Sequence, residues 1–256
     1  VAGEAKDAEG AVGAPGGGAP RRRPKSEQTR TLILETALRL FEERGYDRTT
    51  MRAVASEAGV SVGNAYYYFA SKEHLVQGFY ERIGAEHRAA ARTVLAQERN
   101  LTERLRGVYL TWFDVAEPYH GFAAQFFRNA ADPDSPLSPF SPESRPAREA
   151  AVALLREALS GARVNGDPEL AELLPEVLWL HQMGLVLYWV YDRSPGCSRS
   201  RALADRTAPL TARAVALSRW RVLRPLVRDV RHVLEDFVLP TAAGAAGRGR
   251  DGPPHT

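Results

Sequence analysis

The side chains best suited to a polyanionic partner fall within one short stretch of this 256-residue chain, Arg52 to Lys72. Asn64 offers an amide that can pair with an adenine edge, and Arg52 a guanidinium that can fork onto a guanine. Arg52 could equally contact a phosphate or remain a solvated helix charge. Tyr66 or Tyr67 can donate a hydroxyl to a phosphate oxygen, while Gly63 removes side-chain bulk where a helix would approach bases. Lys72 opens the next helix, where its charge and the free backbone N–H groups could together hold one phosphate. Catalytic chemistry has less to work with. The six histidines (74, 87, 120, 181, 232, 255) form no His-x-x-x-His pair, and Cys197 is the only cysteine. Glu117-Pro-Tyr-His120 has the Glu-x-x-His spacing of helical di-metal sites, but those sites need a second copy and further carboxylates. No P-loop, GxSxG elbow or GxGxxG fingerprint occurs. No metal, cofactor or catalytic residue is therefore expected.

The elements that must position these residues read as helix after helix. From Ser26 to Arg44, Leu34, Ala37, Leu38 and Phe41 follow the i, i+3, i+4, i+7 spacing of a buried helical face. Gly45 stands where a left-handed residue ends that helix. Thr49 or Thr50 caps a second helix through Ala58, closed by Gly59, and Ser61 caps a third reaching about Tyr68. Ser71 then caps a long fourth helix running to about Gln97. Two short helices joined by Gly59-Val60-Ser61, with the small Ala55 four residues earlier, have the geometry of a helix-turn-helix. Met51, Val54, Ala58, Val60, Ala65 and Tyr68 would pack inward, and Ser61, Gly63, Asn64 and Tyr67 would face out, as a recognition helix in a major groove requires.

Further helices are expected at about 101–116, 118–130, 145–161, 168–192, 199–220 and 222–238, with no strand. Five prolines between Asp132 and Pro146 exclude a continuous helix there, and Pro175, Pro209 and Pro225 predict kinks or breaks. Residues 1–24 and 241–256 are Gly-, Ala- and Pro-rich and are expected to be disordered, since they contain almost nothing to bury. The run Arg21-Arg22-Arg23-Pro24-Lys25 could be an arm reaching an adjacent minor groove, or a solvated tail.

Charge is uneven. Residues 21–75 hold ten basic and seven acidic side chains, residues 76–198 twelve and sixteen, and residues 199–231 nine and two. Two basic regions flank an acidic middle, a pattern that favours an anionic partner. The 31 Arg against three Lys reflect base composition more simply than function. With no apolar run long enough for a membrane span and no signal-peptide core, a cytoplasmic location is expected.

Residues 26–75 resemble the N-terminal DNA-binding domain of TetR/AcrR-type transcriptional regulators. The resemblance is carried by Ala37–Phe41, Gly45-Tyr46, Thr49-Thr50, Ala55…Ala58-Gly59-Val60-Ser61, Gly63, Tyr66–Phe69 and Lys72-Glu73-His74-Leu75. Ala65, where a larger residue is common, and Tyr68, where His is usual, depart from the pattern. The resemblance implies an all-α fold, with a three-helix head (25–72) joined through the fourth helix to a helical body (73–240) for ligand binding and dimerisation. It implies a homodimer on a pseudo-palindromic double-stranded DNA operator. The positions matching the family's DNA contacts are Thr50, Arg52, Ser61, Gly63, Asn64, Tyr66, Tyr67 and Lys72.

For the body, the nearly all-round apolar stretch Leu178–Val190 and the helix carrying Ala204, Ala208, Ala212, Val215 and Leu217 suit a four-helix dimer interface within about 168–220. An apolar or aromatic effector is expected against Trp112, Phe113, Phe126, Trp179, His181 and Gln182, with residues 109–128 as a pocket wall. The expected function is a repressor released from its operator by that effector. Two rivals are a DNA-binding regulator with no effector and a helical enzyme or carrier that uses the aromatic cavity.

Overall fold

The computed structural model describes residues 25–162, 172–218 and 224–237. The expectations of disorder for 1–24 and 241–256 lie outside these residues, as does the start of the helix expected from 168. Ten α-helices and no strand are found among the described residues: α1 Lys25–Arg44, α2 Met51–Glu57, α3 Val62–Tyr68, α4 Lys72–Gln97, α5 Leu101–Ala116, α6 His120–Ala130, α7 Arg145–Ser160, α8 Leu174–Tyr191, α9 Ser198–Ser218 and α10 Arg224–Phe237.

Side-chain caps set the starts of the early helices. Thr50 and Ser61 accept hydrogen bonds from the backbone N–H groups of Ala53 (3.2 Å) and Asn64 (3.1 Å), so α2 and α3 begin where the sequence places them. Gly45 (φ 85°) and Gly59 (φ 66°) adopt the left-handed conformation that ends α1 and allows the turn between α2 and α3. Proline behaves differently from the sequence expectation at three places. Pro175 and Pro225 are the second residues of α8 and α10, where a missing N–H removes no helical bond. Pro209 sits inside α9, which continues through it without a break. Packing explains this: Ala204, Ala208 and Ala212 on one face of α9 are buried in the body core.

Two cores result. The first gathers Ile33, Leu34, Leu40 and Phe41 of α1, Met51 and Val54 of α2, Ala65 of α3, and Leu75, Val76 and Phe79 of α4. It also takes in Phe122, Phe126 and Ala130 of α6 and Leu137 of the proline-rich segment, so it reaches beyond the first three helices. Val60 and Tyr68, expected inside, are only partly buried at its edge. The second core lies among α4, α5, α7, α8 and α9, with Leu105, Tyr109, Phe113, Leu155, Leu178 and Trp189 at its centre. Helix α6 belongs to both, because Ala123, Ala124 and Phe127 on its other side pack against the second core.

The body core carries an unusual charge. Arg104 is only 3% exposed, and its guanidinium donates to four backbone carbonyls: Leu95 and Glu98 (both 2.6 Å), and Glu157 and Ala158 (both 2.7 Å). These are carbonyls at the C-terminal ends of α4 and α7, which have no helical N–H partner or sit beside such groups. Burial holds the Arg104 pKa below its ordinary value.

Candidate nucleic-acid interface

The turn between α2 and α3 presses Ala55, Ala58 and Ala65 into the head core and leaves a defined face of α3 outside. At about 100° per residue, Val62, Tyr66, Gly63 and Tyr67 share one exposed arc, opposite the buried Ala65. Tyr67 is 81% exposed. Its ring meets Tyr68 edge-on at 5.2 Å, and most of the residue remains open to solvent. Tyr66 is half-exposed. Asn64 is half-buried at the border of this arc, less outward than the sequence suggests. Sequence reasoning passed over Val62, which is exposed here; its apolar character gave no polar signal to single it out.

The remaining expected contacts flank that face. Thr50 and Ser61 are exposed, and each hydroxyl oxygen is committed as a cap acceptor while its proton remains available to donate. Arg52 is exposed on α2 and forms no ion pair among the described residues. Arg39 of α1, by contrast, bridges Glu57 of α2 (2.9 Å) and Glu43 (3.3 Å). Lys72 is also partly engaged: its Nζ donates to the Tyr46 carbonyl (2.9 Å) and lies 4.0 Å from the centre of the Tyr46 ring. One of its three ammonium protons is thereby used, and the lysine is held at the first turn of α4.

Behind this face the head is braced against α6. The Gln125 Oε1 accepts from the Tyr46 N–H (3.1 Å), and the Tyr46 hydroxyl donates to Glu73 (3.0 Å). Burial and the adjacent Glu73 push the Tyr46 phenol pKa upward. Desolvation would raise the Glu73 carboxyl, but hydrogen bonds from Ser71, its own backbone N–H and Tyr46 outweigh it and hold the pKa below the usual value. Phe126 meets Phe41 (5.7 Å) and Phe122 (5.0 Å) edge to face. Gly78 of α4 packs directly under the Phe69 ring, where a Cβ would come within 2.9 Å of the ring.

Two family descriptions match the chain: "Bacterial regulatory proteins, tetR family" over residues 33–78, and "Tetracyclin repressor-like, C-terminal domain" over residues 104–233. The chain belongs to the TetR family. Among curated relatives, the HTH-type transcriptional repressor KstR2 of Mycobacterium tuberculosis is 36% identical over 92 residues, covering 34% of this chain and 44% of that protein. The HTH-type transcriptional regulator TtgR of Pseudomonas putida is 38% identical over 72 residues, 28% of this chain and 34% of its own. The matched region thus spans less than half the length of these relatives. A TetR transcriptional regulator from Nitrosomonas europaea has the same fold (TM-score 0.58, 16% identity, 72% of this chain and 98% of that one). So does the fatty acid degradation regulator FadR of Bacillus halodurans (TM-score 0.56, 18% identity, 72% and 94%).

Of the six residues expected to line an effector pocket in this TetR-family body, Trp112, Phe113 and Trp179 belong to the body core or pack on it, and Phe126 does not. Phe126 lies in the head core, because it sits on the side of α6 that faces α1 and α4. Phe113 is fully buried, and Trp112 meets it and Trp189 edge-on at 5.6 and 5.2 Å. Trp179 is covered by Phe140 (5.5 Å) and Arg148. His181 Nδ1 lies 3.1 Å from the Tyr109 hydroxyl; burial lowers the His181 pKa and raises that of Tyr109. Gln182 is buried, and its Oε1 has no hydrogen-bond partner. An open groove of about 980 Å³ lies elsewhere, lined by Gly184, Leu187, Tyr188, Tyr191, Arg193 and Arg199 among others. A cleft of about 560 Å³ between α4 and the 132–143 segment is lined by Ser71, Glu73, His74 and Gln77 with Asp132 and Asp134. No cluster of His, Cys, Asp and Glu able to hold a metal occurs among the described residues. No described helix is long and apolar enough to cross a membrane.

Proposed function

We propose that the protein is a homodimeric transcriptional repressor whose two α3 helices read a pseudo-palindromic operator. The observation that carries this reading is the outward arc of α3, which exposes two tyrosines and a bare glycine on a rigid three-helix head. Thr50, Arg52, Ser61, Gly63, Asn64, Tyr66, Tyr67 and Lys72 make the contacts. Tyr66, Tyr67, Thr50 and Ser61 address phosphates, and Arg52 and Asn64 address base edges or the phosphates beside them. Dimerisation uses α8 and α9, which expose Leu187, Tyr188, Tyr191, Leu210 and Leu217. A second copy covering this apolar surface sets the two heads about one DNA turn apart, roughly 34–36 Å.

An apolar or aromatic effector acts by binding a body conformation in which the heads are spread, and its differential affinity for that state limits the shift. Helix α6 supports such coupling, because one side packs on the head and the other on the body, with His120 donating to the Trp189 carbonyl of α8 (2.8 Å). The mutual packing of Trp112, Phe113 and Trp189 favours the rival reading of a regulator without an effector.

Selection from random duplexes, followed by anisotropy titration at about 150 mM salt, tests the DNA half. Enrichment of one inverted repeat, bound tightly by the wild type and weakly by Tyr67→Ala, is the expected result. A pool that stays random would sink it. Any compound that raises the melting temperature should then change operator affinity; compounds that bind without doing so favour the effector-independent regulator.

A further inference from the structure

Alongside the exposed tyrosines, the arc of α3 offers Val62 and Gly63 where direct base reading would usually call for polar side chains. Val62 is 37% exposed, so part of its apolar side chain faces outward. Beside it, a Cβ built on Gly63 would meet nothing within 4 Å, and Gly63 does not have the positive φ that would require glycine. A lone exposed valine needs no explanation. A valine next to a glycine is different, since both disfavour a helix and this one has only seven residues. At Gly63 no neighbour within the protein requires the missing side chain. Their joint effect is a shallow apolar patch onto which another surface can come close. Of the hydrogen-bonding groups nearby, the Ser61 oxygen caps α3 and Asn64 is half-buried at the border, while Tyr66 and Tyr67 carry their hydroxyls at the far ends of their rings.

Major-groove edges of the base pairs are hydrogen-bond donors and acceptors with one apolar exception, the C5 methyl of thymine. The arc carries no carboxylate, and residues 21–75 hold an excess of basic side chains, so approach to DNA meets no charge opposition at this face. We propose that Val62 is a specificity-determining residue that packs its methyl groups on a thymine methyl in each operator half-site, with Gly63 keeping the backbone close enough for the contact. This rests on the reading of the head as DNA-binding and adds which base it selects and by what chemistry.

Deoxyuridine pairs as thymine does and lacks only that methyl, so it isolates the contact. On the duplex enriched by the wild-type full-length chain, each thymine of a half-site is replaced in turn by deoxyuridine, and anisotropy is titrated with wild type and Val62→Ala. One position per half-site should cost the wild type about fivefold in affinity, while Val62→Ala binds the thymine and deoxyuridine duplexes at that position equally. The melting temperature of Val62→Ala should stay close to that of the wild type, because the better helix propensity of alanine offsets the loss of partly covered methyl groups. Uniform tolerance of deoxyuridine by the wild type overturns the proposal. So does a Val62→Ala variant that stays as sensitive as the wild type at every thymine. Failure to enrich any duplex overturns the DNA-binding reading itself, which is a separate result.

Discussion

Polar chemistry is placed differently in the head and the body. In the head it sits at helix ends and turns: Thr49 donates to the Leu40 and Gly45 carbonyls (3.2 and 2.9 Å), Thr50 and Ser61 cap α2 and α3, and Lys72 reaches the Tyr46 carbonyl. In the body it is drawn into the interior. Arg104 satisfies four carbonyls, the His87 ring bonds the Val108 carbonyl (2.8 Å), and Tyr109 meets His181 within an otherwise apolar core. The comparison teaches that a head built from short capped helices keeps its surface free for contacts, whereas long helices meeting at their ends need internal polar anchors to fix their register.

That contrast can be broken by substitution. Arg104→Met should remove about 4 kcal/mol of stability in urea unfolding, because it strands buried carbonyls at the ends of two helices. If the loss is under about 1 kcal/mol, the body needs no such anchor and the contrast fails.

Asp192 is the next test. It is buried at the turn between α8 and α9, where one carboxylate oxygen accepts from the Ser194 N–H and hydroxyl (2.8 and 2.6 Å) and the other from those of Ser200 (2.8 and 2.7 Å). Burial alone would raise its pKa, but these four hydrogen bonds prevail and hold it well below the ordinary 3.8. A depressed carboxylate contributes stability that is fully present above its unfolded pKa and lost as pH falls through the folded one. Asp192→Ala should therefore cost about 2–3 kcal/mol at pH 7. The difference between the two proteins should shrink as the pH drops below about 4. Thermal melts across pH 2–7 read this directly, and a pH-independent difference would show that the charge is not what holds the turn.

Substitutions on the outer head face should behave in the opposite way. Tyr67→Ala should lower affinity for the selected duplex by at least about fivefold, with stability unchanged within about 0.5 kcal/mol. A marked fall in melting temperature would show that the ring supports the fold. Gly63→Ala sharpens the comparison most finely: with open space around the new methyl, chemical denaturation should show a gain of about 0.5–1 kcal/mol from helix propensity, while the same variant binds the duplex more weakly. A variant that gains stability and keeps full affinity would remove Gly63 from the interface.

The head was legible in the sequence because its determinants are local. Caps at Thr50, Ser61 and Ser71, left-handed glycines at 45 and 59, and the apolar spacing of α1 specify where each helix starts, stops and turns inward, and they do so without reference to distant residues. The all-helical class and most helix spans of the body followed from the same period. What the sequence could not supply was which helix faces which. Phe126 reads as a body aromatic, yet the rotation of α6 puts it against Phe41 in the head core. Pro209 looks like a break until the alanines beside it are seen packed in the core. Arg104 looks like one surface arginine among 31, because the carbonyls that hold it belong to residues as far as 54 positions away. Local sequence determined the helices, the turn and the exposed arc of α3. Tertiary structure alone decided the partner of each long helix, since contacts between distant segments depend on helix rotation and packing, which periodicity leaves open.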